Sequence, residues 1–253
     1  MDAQPPSKNV AMTPFVYRIA PITEFAMSSD SALLAIAILV AGYCLIITHV
    51  DPNPHQAKKD RNRADHVRLL TGSQVCTVAA IYHALLTVTT RYTPGRVSQI
   101  CPLAHNTNPG LFAWNMASVV PLLLIYVGTY IRIPAFGGLG KLFTLHLVPP
   151  DHLVTTGIYS WIQHPSYTGM GMIWWGCFAL FLRWDATPAC WIPTLALSQC
   201  YGWGPSILTA IAGYGVWLFG GRVRDEELML QRKFGQQWAQ WHRSTKRFIP
   251  GLF

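Results

Sequence analysis

Charge is the scarcest feature of this chain. Only 12% of its residues are charged, about half the share of an ordinary soluble domain. With 51% of the residues hydrophobic, that excludes a conventional water-soluble globule. Acid is scarcer than base: 11 Asp and Glu stand against 19 Lys and Arg. The six cysteines (Cys44, Cys76, Cys101, Cys177, Cys190 and Cys200) show no CxxC spacing, which argues against a zinc or dithiol centre. Four lie within or beside apolar segments and read as small buried hydrophobes, and no metal is expected. The chain has no GxxxxGKS/T phosphate loop, no GxSxG elbow and no HExxH helix; "FGGLG" at 136–140 follows no strand and is not a dinucleotide fingerprint. The first 25 residues hold Pro5, Pro6, Pro14 and Pro21 and no early apolar core. A cleaved leader is therefore not expected, and the first apolar span reads as an anchor.

What the chain does have is a series of apolar runs near the ~20 residues that a helix needs to cross a bilayer. They are 31–50, 73–90, 111–131, 167–182 and the longer stretch 188–220, which is broken at "GWGP". Being continuous rather than alternating, they predict helices, not a barrel. The expected fold is all-α: a polytopic membrane protein with about five transmembrane helices and a C-terminal amphipathic helix. The organisation follows: a mobile N-terminal segment 1–30, transmembrane helices over 31–131, and a core over 132–253. The net charge of +8 does not point to nucleic acid. The basic residues gather in 58–68 and 222–248 beside the spans, as in cytoplasmic loops. On that rule 51–72, 132–166 and the tail lie inside, and 91–110 and 183–187 outside, provided that 188–220 crosses once.

Polar chemistry concentrates in two places on the inner side. Loop 132–166 and the start of the next span hold Arg132, Lys141, His146, Asp151, His152, Tyr159, Gln163, His164 and Tyr167. The tail opens "GRVRDEELMLQRKFG", where Arg222 and Glu226 share a helix face and Val223, Leu230, Phe234, Trp238 and Trp241 approximate an apolar stripe. From spacing alone, two readings stay open. The tail is a surface helix with a solvated ion pair, and "HPSY" is an ordinary helix start with Pro165 in the first turn or Ser166 as cap; or the two segments build one site.

Taken together, "DHLVTTGIYSWIQHPSYTGMGMIWWG" (151–176) and "RVRDEELMLQRKFGQQWAQWHRSTKRFIPG" (222–251), with "GTYIRIPAFGGLGKLFT" (128–144), resemble the isoprenylcysteine carboxyl methyltransferase family. The resemblance covers roughly 125–253. It implies an endoplasmic-reticulum membrane enzyme with its site on the cytosolic face, which uses S-adenosylmethionine to methylate the C-terminal carboxylate of a prenylated cysteine. Carried over by position, the cofactor residues are Leu153, Val154, Tyr159, His164, Pro165, Ser166, Tyr167 and Glu226. Arg222 is implied as the catalytic residue that holds the substrate carboxylate. The implied partners are a prenylated protein C-terminus and membrane lipid.

The chain departs from the family pattern. Gln163 replaces the arginine before His-Pro. Asp151, followed by His152, stands where the family often has histidine. Segment 188–204 looks inserted into a hairpin that is usually short. Gln163 and Asp151 are expected in the cofactor pocket. They leave open a relative acting on a small lipophilic or terpenoid molecule, by methylation or other cationic chemistry, and a non-catalytic membrane protein.

Overall fold

A computed structural model of the protein describes residues 31–50, 53, 63–143, 147–199, 202–249 and 251. The N-terminal segment 1–30, most of the basic loop before 63, His146 and Cys200 lie outside the described residues. Among those described the chain is helical without a strand; the sole bridge is an isolated parallel pairing of Ile162 with Lys246.

Helix α1 (Ser31–His49) is apolar on every side. Leu34, Ile38, Ala41 and Leu45 are buried, while Leu33, Ile36, Leu39, Val40 and Ile46 stay on the surface. An all-round apolar helix suits a lipid-facing span. Helix α2 (Arg63–Tyr92) packs along α1 through small residues: a Cβ on Gly42 would lie 3.4 Å from that of Ala80. After α2 a short helix, α3 (Val97–Ile100), leads through irregular turns to α4 (Met116–Leu139). Among the described residues two helices are long and apolar enough to cross a membrane, α1 and the stretch Met116–Leu142.

Helix α5 (Pro165–Cys177), continued by a wider turn over Phe178–Leu182, packs more closely on α4 than side chains would permit. A Cβ on Gly169 would sit 2.5 Å from the Gly128 carbonyl oxygen, and one on Gly176 2.6 Å from that of Pro121. Glycine at these crossings lets backbone meet backbone, as in other apolar helix pairs. Helices α4 and α5 run in opposite directions, so each end of the pair gathers a different set of loops. At one end lie the start of α4 and the turn after α5. Asn115 and Ser118 form a capping box there, Arg183 pairs with Asp185 at 2.6 Å, and Cys101 is disulfide-bonded to Cys190. The absence of CxxC spacing gave no sign of that bond. Cys44, Cys76 and Cys177 are free and buried, but Cys101 and Cys190 belong to two loops that the fold brings together.

Beyond α6 (Thr194–Gln199), one continuous helix, α7 (Gly204–Phe234), carries the chain from Gly204 into the tail. It stops at Gly235, whose φ of +52° suits glycine. Helix α8 (Gln236–Ser244) follows. The apolar stripe from Val223 to Trp241 is therefore divided between two helices. Val223, Leu230 and Trp238 are buried against the protein, not laid out on one surface helix.

Candidate functional site

The opposite end of the α4–α5 pair holds the polar residues. The chain approaches α5 through a 3-10 turn, Gly157–Ser160, entered at a Gly157 φ of +62°. This turn buries Tyr159, whose hydroxyl donates to the Ala135 carbonyl at 3.1 Å. The tail then straps the loop down. Trp241 Nε1 donates to the Tyr159 carbonyl at 2.9 Å. The backbone N–H groups of Gln163 and His164 donate to the carbonyls of Lys246 and Arg247 at 2.8 and 2.9 Å. Thr168 Oγ1 donates to the Phe248 carbonyl at 3.0 Å. Pro165 occupies the first helical turn and Ser166 the next position, and no side chain caps α5. The helix-start reading of Pro165 thus holds, and that of Ser166 as cap does not: its hydroxyl instead accepts from Arg132 Nη1.

His164 is 3% exposed. Its Nε2 faces Glu227 Oε1 at 3.2 Å, and Arg247 holds the same carboxylate through Nε and Nη2, both at 2.9 Å. Burial pushes the Glu227 carboxyl up; the hydrogen bonds from His164 and Arg247 outweigh it and hold the group below the usual carboxylate range. A carboxylate only accepts, so His164 is the donor to Glu227 through Nε2. His164 Nδ1 is buried without a hydrogen bond among the described residues, 4.0 Å from Glu226 Oε1. Arg222 Nε donates to the Tyr167 hydroxyl at 3.2 Å. Burial, and then the nearby Glu226 charge, raise the Tyr159 phenol, with Arg132 opposing; Tyr159 is therefore a protonated wall of the site, not a base.

One cavity is lined by Leu153, Val154, Tyr159, His164, Pro165, Ser166, Tyr167, Arg222 and Glu226. Every site residue taken from the sequence therefore falls on it. Of the two departures from the family pattern, Gln163 lies on the cavity as expected and Asp151 does not. Asp151 is exposed and off the cavity, whereas His152 lines it. Gln163 reaches the cavity wall, but its amide is consumed by the tail: Nε2 donates to the carbonyls of His242, at 3.1 Å, and Thr245, and Oε1 faces His242 Nδ1 at 2.8 Å. Three residues to which the sequence reading gave no role complete the site. Glu227 and Arg247 hold His164, and Arg132 is a fully buried arginine on the cavity wall. The signal for Arg132 was present: it is the sole charge in α4, and a lone charge in an apolar span marks function. Arg132 Nη2 and His164 Nδ1 are buried without a hydrogen bond among the described residues, and both residues line the cavity. An amino-acid nucleoside cofactor fits that set.

Comparison with known proteins gives the same direction. Residues 119–202 match the isoprenylcysteine carboxyl methyltransferase (ICMT) family. The protein-S-isoprenylcysteine O-methyltransferase of Tribolium castaneum is 30% identical over 148 residues, 56% of this chain and 44% of that protein. Protein-S-isoprenylcysteine O-methyltransferase A of Arabidopsis thaliana is 30% identical over 148 residues, 56% of this chain and 64% of that one. The Saccharomyces cerevisiae protein-S-isoprenylcysteine O-methyltransferase is 41% identical over 68 residues, 25% and 27% of the two chains. The chain thus spans less than two thirds of the length of these relatives, and its resemblance to the family rests on about half of its own length.

Proposed function

We propose, from this resemblance to the isoprenylcysteine carboxyl methyltransferases, that the chain transfers a methyl group from S-adenosylmethionine to the C-terminal carboxylate of a prenylated cysteine in a membrane. The observation that carries the reading is the meeting of two cavities at Arg222. One is the polar cavity just described. The other is an apolar cavity of about 960 Å³ between α5 and α7, walled by Trp174, Phe178, Ile211, Tyr214 and Trp217, and it too reaches Arg222. A prenylated C-terminus has the same two parts, a carboxylate and an apolar tail.

S-adenosylmethionine, when bound, supplies an electrophilic methyl group on a sulfonium. Leu153, Val154, Tyr159 and the His164–Tyr167 turn would enclose it, with Glu226 taking its donors. The acceptor carboxylate has a pKa near 3.5–4, is ionised at neutral pH and needs no general base. The task left to the chain is alignment and exclusion of water. Arg222 suits the first, because a guanidinium fork can fix a carboxylate at two points. The strapped tail serves the second by closing the loop over α5.

In this reading α1, α2, α4, α5 and α7 cross the membrane, with the site end in the cytosol. The Cys101–Cys190 end then faces an oxidising lumen, where disulfides persist, consistent with the endoplasmic reticulum. Gln163 no longer motivates a different acceptor, since its amide is spent on the tail. The test uses purified protein in detergent, labelled S-adenosylmethionine and an N-acetylated S-farnesylcysteine. The expected product is a base-labile methyl ester; cofactor binding without ester on any prenylcysteine would overturn the acceptor assignment.

A further inference from the structure

Arg132 is built into the protein as half of an anion site. Its side chain is 0% exposed. Nε donates to the Thr48 carbonyl at 2.8 Å at the end of α1, and Nη1 to the Ser166 carbonyl at 2.9 Å and to the Ser166 hydroxyl. The guanidinium carbon stands 4.9 Å from the centre of the Phe136 ring. Three of its contacts thus fix the plane of the group. Nη2, also buried, has no hydrogen bond among the described residues, and the residue lines the polar cavity. No described acid pairs with it: Glu227 is held by Arg247 and His164. A buried cation without a counter-charge is costly, and it is tolerated where a ligand brings the anion. The first turn of α5, to which Arg132 is tied, adds the positive end of a 13-residue helix.

The proposed reaction brings two carboxylates to one site: that of the acceptor and that of the cofactor's amino-acid end. The cavity holds two arginines. Arg222 stands where the polar cavity meets the apolar one; Arg132 lines the polar cavity alone and is not among the residues of the apolar one. We propose that Arg132 binds the carboxylate of the methyl donor through Nη2, leaving Arg222 to the acceptor. This assignment rests on the methyltransferase reading above. Loss of one charge-assisted contact from a buried, prefixed guanidinium corresponds to about a 10- to 100-fold loss in affinity.

The test is calorimetry on the full-length protein in detergent, without turnover. Its first arm needs no mutation. The unaltered protein is titrated with S-adenosylhomocysteine and with its carboxamide, which differs in the carboxylate alone. The carboxamide is expected to bind at least 10-fold more weakly; a difference under about threefold overturns the proposal. The second arm compares S-adenosylhomocysteine with 5′-methylthioadenosine, which lacks the amino-acid end, on Arg132→Lys and Arg222→Lys. Arg132→Lys is expected to weaken the first ligand and spare the second, and Arg222→Lys to spare both. Equal loss of both ligands in Arg132→Lys marks a purely structural arginine and overturns the proposal, as does selective loss in Arg222→Lys. If the unaltered protein binds neither nucleoside, the methyltransferase reading itself falls; if it binds S-adenosylhomocysteine and the carboxamide equally, only the role of Arg132 falls.

Discussion

Adding one methyl group at Gly169 should disable the site from a position that touches no ligand. A Cβ there would lie 2.5 Å from the Gly128 carbonyl oxygen, 3.0 Å from Arg132 Cβ and 3.2 Å from the Arg132 nitrogen. A relaxed carbon–oxygen contact needs about 3.3 Å, so α4 and α5 must part locally by about 0.8 Å. The nearest atoms are backbone, and no flexible side chain can yield instead. The overpacking alone should cost about 1–3 kcal/mol. The same displacement stretches the 2.9 Å bond from Arg132 to Ser166 towards 3.7 Å, beyond hydrogen-bonding range, and removes a charge-assisted contact of about 1.5–3 kcal/mol. Gly171→Ala is the matched control, because its added Cβ meets nothing within 4 Å on the same helix and alanine favours a helix by about 1 kcal/mol. Thermal unfolding in detergent and S-adenosylhomocysteine affinity are the assays. Gly169→Ala should lose about 2.5–6 kcal/mol of stability and bind more than tenfold more weakly, while Gly171→Ala matches or exceeds the unaltered protein. Equal behaviour of the two variants would refute the backbone-contact account of how α4 places Arg132.

Arg222→Lys keeps the charge and loses the fork, so kcat/KM for a prenylcysteine should fall about a hundredfold, some 3 kcal/mol, at nearly unchanged S-adenosylhomocysteine affinity; activity within threefold would remove Arg222 from the carboxylate. Glu227 has its folded-state pKa held below the ordinary value by His164 and Arg247, so its contribution to stability is present above the ordinary carboxylate range and lost as pH falls through the depressed value. Between pH 7 and 3 the difference in melting temperature between the unaltered protein and Glu227→Gln should therefore shrink, and a constant difference would contradict the ionised clamp. Cys101 and Cys190 enclose a long stretch of chain, and Cys101→Ser should cost about 2–5 kcal/mol. Maleimide labelling should modify neither cysteine in protein purified without reductant; modification of both before reduction would rule the bond out.

Much of this protein was legible without coordinates because membranes and short motifs impose local rules. The all-round apolar run 31–50 reads as a helix because a helix is what satisfies a backbone in lipid, and α1 takes up Ser31–His49 of it. Motif positions such as His164, Tyr167, Arg222 and Glu226 were picked out by the family resemblance, and the fold brings all four onto one cavity. What sequence could not supply were relations between distant segments. Cys101 and Cys190 lie 89 residues apart, and nothing local distinguishes them from the thiols that stay buried; only the antiparallel course of α4 and α5 brings their loops to one end. Gln163 read as a change in the cofactor pocket, and it does line the cavity; that the tail takes its amide could be seen only in the fold. Arg132 was visible as a lone charge in an apolar helix, but not that three of its contacts are internal and one nitrogen is left over. Residue type and periodicity act along the chain and can be read from it. The pairing of a carbonyl, a carboxylate or a thiol with a partner eighty residues away depends on helix crossings set by glycines such as Gly128 and Gly169, and those exist only in the folded molecule.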